Sequence, residues 1–145
     1  MATQNRAYRL HLDDRKLQNI PWFVDSTWQG NSSYNQFFAS NIMQGMANAT
    51  TAGTARSLAK PNGSFYYYAK TGTINEQGSG VKSSKRLVVI VSDKDLTQAA
   101  NIGNAKVYLF YFAEDRAGSG INWSLVNQII AETMKSTGFK NYFAS

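Results

Sequence analysis

Lys70, Thr71, Gly72 and Thr73 carry the chemistry most directly legible in this chain. An ammonium, two hydroxyls and bare backbone amides together form a receptor for a carboxylate, and for a carbonyl oxygen that turns into an oxyanion. These residues follow Phe65-Tyr66-Tyr67-Tyr68-Ala69 without a break. Four aromatics in succession suit a pleated, half-buried strand better than a helix, so the polar residues continue that strand. On a strand Thr71 and Thr73 point to one side, Lys70 and Gly72 to the other. Gly72 has no Cβ, which lets a ligand or another backbone approach closely there.

Other chemistries are narrowed by what the chain lacks. It has no cysteine and a single histidine, His11. Disulfides, thiolate nucleophiles and cysteine-based zinc sites are therefore excluded. A Ser-His-Asp triad would have to use His11, which lies in the polar run Leu10-His11-Leu12-Asp13-Asp14 and reads as a surface residue. The formal charge of +6 raises the question of nucleic acid. The basic residues are scattered, however: Arg6, Arg9, Arg15, Lys16, Arg56 and Lys60, with only Lys82, Lys85 and Arg86 crowding together in an expected loop. That pattern reads as a solvated basic surface.

At 145 residues, 43% hydrophobic and 17% charged, the chain is one domain or a piece of one, with enough apolar residues for a core. No apolar run reaches the roughly 20 residues needed to span a bilayer. The beginning, Met1-Ala2-Thr3-Gln4-Asn5-Arg6, has no apolar signal-peptide core.

The elements that must position the tetrad follow from periodicity and turn chemistry. Residues 1–31 show no clear period and stay unassigned. Ser32 or Ser33 can cap a helix in which Phe38, Ile42, Met46 and Ala49 form the core stripe. A second helical piece is expected over Thr54 to Lys60, stopped by a turn at Pro61-Asn62-Gly63. Asn75 to Ser84 reads as a mobile connection. Arg86 to Ser92 and Lys106 to Phe112 are continuous apolar runs of strand length, expected to be buried on both faces, with a polar loop between them. Asn122 caps a closing helix with Trp123, Val126, Ile130 and Met134 on one face, and Gly138 is its expected stop. The order helix, strand, strand, strand, helix with short links predicts an α+β fold, an antiparallel sheet of about three strands packed with helices.

Lys-Thr-Gly is also the third signature of penicillin-binding proteins and serine β-lactamases. Upstream stand Ile42-Met43-Gln44-Gly45-Met46 and Gly53-Thr54-Ala55. That order, from about Ile42 to the end of the chain, resembles the C-terminal part of a penicillin-binding transpeptidase domain. The resemblance implies an incomplete penicillin-binding fold, with residues 1–145 as a single domain fragment. It implies that Thr71 and Thr73 bind the terminal carboxylate of a D-Ala-D-Ala stem peptide or of a β-lactam, with Gly72 keeping the wall low. Lys70 would add a positive field, and the Thr73 N–H would be an oxyanion donor. It also implies a membrane-anchored parent acting on the periplasmic or extracytoplasmic face, without cofactor, metal or nucleic acid. The strands that begin the family's fold would be missing, leaving a sheet edge open unless Arg6–Leu12 or a second molecule fills it.

The family's other two signatures have only decoys here. Ser57-Leu58-Ala59-Lys60 and Ser79-Gly80-Val81-Lys82 satisfy Ser-x-x-Lys, and Ser33-Tyr34-Asn35 satisfies Ser-x-N. Their order is wrong: Ser57 follows Ser33, Ser79 follows Lys70, and Ser33 lies closer to Lys70 than the family shows. The nucleophile is thus expected outside this chain, which alone should have no turnover. A fragment of a β-lactamase or D,D-carboxypeptidase would share the same residues. The reading from a different class is a non-catalytic basic binding module.

Overall fold

The computed structural model describes residues 7–9, 20–23, 32–75, 83–114 and 120–145. Its elements are β1 (Ala7–Arg9), β2 (Ile20–Phe23), α1 (Ser32–Thr51), β3 (Tyr66–Asn75), β4 (Ser83–Ser92), β5 (Val107–Glu114), α2 (Trp123–Lys135) and α3 (Thr137–Ala144). The fold is α+β. Strands β3, β4 and β5 form an antiparallel sheet in sequence order, with β4 in the middle. β1 and β2 pair only with each other, in a separate two-stranded sheet. Ala7–Arg9 therefore does not close the larger sheet.

The register aligns Tyr68 with Ile90 and Ile90 with Leu109, and Thr73 with Lys85 and Lys85 with Glu114. Alternation then sorts the side chains onto two faces. One face carries Tyr67, Ala69, Leu87, Val89, Val91 and Phe110, buried against Val126, Ile130 and Met134 of α2 and Phe139 of α3. Ala55 and Leu58, from the turns after α1, complete this core. The other face is covered by α1, where Ala39 and Met43 cluster with Tyr68, Leu96 and Ile102. The β4 run is buried on the first face and half-buried at Val88 and Ile90 on the second. β5 departs from the expectation of two buried faces: Leu109 and Tyr111 are each 60% exposed. An edge strand reached by helices on one side alone keeps its other side in water.

Three further expectations are corrected. In α1 the fully buried line is Ala39, Met43 and Thr50; of the expected stripe Met46 and Ala49 pack against the cores, while Phe38 and Ile42 are 47% and 43% exposed. Two apolar stripes run side by side along this helix, and the one with the small Ala39 sits against the sheet cluster. The Thr54 to Lys60 stretch is a chain of turns, not a helix, held by Arg56 N–H to the Gly53 carbonyl and Leu58 N–H to the Ala55 carbonyl. Gly138 is no stop. Ser136 ends α2 with extended backbone and accepts the Phe139 N–H at 3.2 Å, so it caps α3, inside which Gly138 lies. Asn122 does cap α2, its Oδ1 accepting the Leu125 N–H at 3.1 Å.

The Asn75 to Ser84 connection falls largely on residues outside those described, and β4 already begins at Ser83. His11 and Ser79-Gly80-Val81-Lys82 also lie outside the described residues.

A polar joint ties β3 to the β4–β5 loop. The buried Tyr68 hydroxyl accepts the Leu96 N–H at 2.7 Å and donates to Asp95 Oδ1 at 3.1 Å. Burial pushes the phenol well above its usual range, with the Leu96 amide opposing and the Asp95 charge adding to the rise. Desolvation acts against Asp95 ionising, but bonds from the Thr97 hydroxyl and amide and from Tyr68 prevail and lower its carboxyl. Tyr68→Phe should cost about 1–3 kcal/mol in a urea melt, because the Leu96 amide is left buried without a partner. The lowered Asp95 supplies stability that is present above its unfolded value of about 4 and fades as pH falls through the folded one. Asp95→Asn should accordingly flatten the acid side of a plot of melting temperature against pH.

Candidate functional site

Lys70, Thr71, Gly72 and Thr73 sit in the second half of β3, an edge strand of the three-stranded sheet. Hydrogen-bond parity decides what this edge presents. The Asp93 N–H bonds the Lys106 carbonyl at 3.2 Å, and the two residues continue the β4–β5 register. In an antiparallel ladder such inward-facing residues alternate with outward-facing ones. Odd-numbered residues of β4 therefore bond β5, and even-numbered ones bond β3. The even residues of β3 face β4, which leaves the N–H and C=O of Thr71 and Thr73 on the outer edge. Lys70 reaches around to that edge, its Nζ donating to the Thr71 carbonyl at 2.5 Å.

The two threonine side chains share the face on which Leu87 and Val89 are buried; Thr71 lies level with Leu87 at the end of the core, and Thr73 lies beyond it. Thr71 is half-buried and Thr73 exposed. Thr71 Oγ1 stands 2.6 Å from Thr54 Oγ1, so the Gly53-Thr54-Ala55 segment packs onto the Lys-Thr-Gly strand. The turns after α1 hold that segment there: the Gly53 N–H bonds the Asn48 carbonyl, and the Ala55 N–H bonds the Ala49 carbonyl. A Cβ on Gly53 would lie 2.7 Å from the Ala49 Cα, so only glycine fits where the chain leaves the helix this tightly. At Gly72 a Cβ would meet Arg86 Cβ at 3.8 Å, an ordinary contact. The sheet does not demand glycine at that position.

Lys85, by sequence pattern one of the basic residues of the loop before β4, belongs to the site. It lies on β4 directly opposite Thr73, and its Nζ donates to Thr73 Oγ1 at 3.0 Å. Counting back two residues from the buried Leu87 would have placed it on the threonine face. The ammonium beside the threonine side chains is thus that of Lys85, while Lys70 projects from the opposite face. Lys85, Leu87, Phe112, Glu114, Asn122 and Val126 line a cavity of about 400 Å³ at this end of the sheet.

The Ser-x-x-Lys decoy at Ser57 lies in the turns after α1, with Ser57 and Lys60 both exposed. The Ser57 carbonyl accepts a bond from Asn127 Nδ2 at 3.0 Å, a structural tie to α2. A nucleophile needs its lysine one helical turn away, and no helix spans these residues. Ser33 and Asn35 lie within the first turn of α1. Among the described residues no group of three His, Asp or Glu side chains could hold a metal ion. None of the described helices is long and apolar enough to cross a membrane.

The two glycines should separate fold from site. Gly53→Ala forces the chain off Ala49 and should destabilise by about 1–3 kcal/mol, loosening Thr54 from Thr71. Gly72→Ala should leave the unfolding free energy from a urea melt within about 0.5 kcal/mol of the parent protein.

Set against protein-family models, curated proteins and solved structures, the chain matches none of them, so the likeness to penicillin-binding domains rests on the residues quoted above.

Proposed function

We propose that this chain is the C-terminal segment of a peptidoglycan D,D-transpeptidase, supplying the strand that grips the terminal carboxylate of a D-Ala-D-Ala stem peptide or of a β-lactam. The observation that carries this reading is the outer edge of β3. Thr71 and Thr73 turn their backbone groups to it, and their side chains share one face, where Thr71 is half-buried and Thr73 exposed. A peptide laid along the edge adds a strand by main-chain bonds while its end group is read by side chains.

In this reading the threonine hydroxyls donate to the carboxylate. The Thr73 N–H donates to the carbonyl oxygen as it gains charge during attack, which makes it one arm of an oxyanion hole. Lys70 adds positive field at the edge itself, where its Nζ meets the Thr71 carbonyl, and Gly72 leaves room for the substrate backbone. The attacking serine and its base come from a part of the parent protein other than these residues, and the parent works at the outer face of the cytoplasmic membrane. The open edge of β5, with Leu109 and Tyr111 exposed, is where earlier strands of the parent or a second molecule would pair.

Two measurements on the isolated chain test the proposal. A fluorescent penicillin should leave no covalent label, since no nucleophile is in place; stoichiometric labelling at Ser57 or Ser79 would overturn their assignment as decoys. Titration with a diacetylated Lys-D-Ala-D-Ala peptide, followed by amide NMR, should move the Thr71 and Thr73 signals. Thr71→Val and Thr73→Val should each weaken that binding by about 10-fold or more, as expected for a lost bond to a charged group. A titration in which the β3 amides stay still would sink the reading.

A further inference from the structure

The cavity beside Lys85 has a composition that the carboxylate strand does not account for. Leu87 and Val126 are buried in its floor, and Phe112 is packed against the same core. Lys85 and Glu114 stand opposite each other on adjacent strands at its mouth. Side chains so paired have Cβ atoms about 5 Å apart. Each of them has a neutral partner: Lys85 bonds the Thr73 hydroxyl, and Glu114 Oε2 accepts the Asn122 N–H at 3.2 Å. Among the described residues neither charge is neutralised by an ion pair. An apolar hollow with a few convergent polar groups is the usual form of a small-ligand site, and about 400 Å³ is near the lower end of such volumes. It suits a ligand the size of one amino acid.

We infer that this cavity binds an apolar α-amino acid. Its carboxylate lies on the Lys85 ammonium and the Thr73 hydroxyl, its ammonium on Glu114, and its side chain against Leu87, Phe112 and Val126. The two charges at the mouth select for a zwitterion. A simple acid would gain Lys85 but face Glu114, and a simple amine would gain Glu114 but face Lys85. A neutral apolar molecule would leave both groups partly desolvated with nothing in return. Because Lys85 donates to Thr73, the threonine hydroxyl keeps its own proton for the carboxylate. The inference shares the Thr73 hydroxyl with the transpeptidase reading and otherwise stands on Lys85, Glu114 and the cavity alone.

The test is a titration of the full chain with L-phenylalanine, read from amide NMR shifts, alongside N-acetyl-L-phenylalanine and 2-phenylethylamine. Phenylalanine should move the signals of Leu87, Glu114 and Leu125, and each analogue should bind at least about 10-fold more weakly, one charge pairing having been lost. Lys85→Met and Glu114→Gln should each cost a similar factor in phenylalanine affinity, with Lys85→Arg restoring most of it; unchanged spectral dispersion checks that the variants fold. Equal binding of the acetylated compound would mean that a bare carboxylate, such as a peptide C-terminus, is recognised, and would overturn the zwitterion assignment. Absence of shifts with phenylalanine at millimolar concentration, or affinity unaltered in both Lys85→Met and Glu114→Gln, would overturn the site itself.

Discussion

Burial of Leu87, Val89 and Val91 beneath α2 and the Ala55–Leu58 turns is the constraint from which the other features follow. These alternate residues of the central strand commit β4 to one orientation, and both neighbours take their register from it. A slip of one residue would turn every side chain to the opposite face. Lys70 and Gly72 would then stand where Thr71 and Thr73 stand, and Arg86 would replace Lys85 at the cavity. The apolar core thus chooses which polar groups converge, although none of those groups belongs to it.

The same constraint explains why chemistry gathers at one end of one face. The helices cover the β4 face from Val91 to Leu87, and beyond Leu87 the strands continue as the half-buried Lys85 and Glu114 and the exposed Thr73. Polar residues there are partly exposed yet fixed by their strands, which favours recognition: the groups are positioned without the full cost of desolvation. Thr54 adds a second anchor. It is delivered to Thr71 by a turn that only glycine permits, so the geometry of the helix exit is transmitted to the edge strand.

On the other face α1 covers Tyr68 and Ile90 but not β5. The Tyr68–Asp95–Leu96 joint lies under this helix and ties the β4–β5 loop to β3. It is a satisfied polar network inside an apolar cluster, which specifies one arrangement more sharply than apolar packing alone.

Much of this was decided by local sequence. The aromatic run into Lys70, the apolar runs of β4 and β5, and the Asn122 cap with Val126, Ile130 and Met134 name their own secondary structure, because period and capping are short-range properties. The alternation of Thr71 and Thr73 against Lys70 and Gly72 was equally legible. Other features needed the tertiary structure. Which stripe of α1 is buried depends on how closely Ala39 lets the helix approach Tyr68, and two stripes of similar hydropathy cannot tell that. The turns after α1 are tied down by Thr71 and Asn127, far along the chain, and the start of β4 at Ser83 is set by its pairing with Asn75. Lys85 beside Thr73, and the threonine amides on the open edge, depend on strand register, and register is a relation between segments that no single segment encodes.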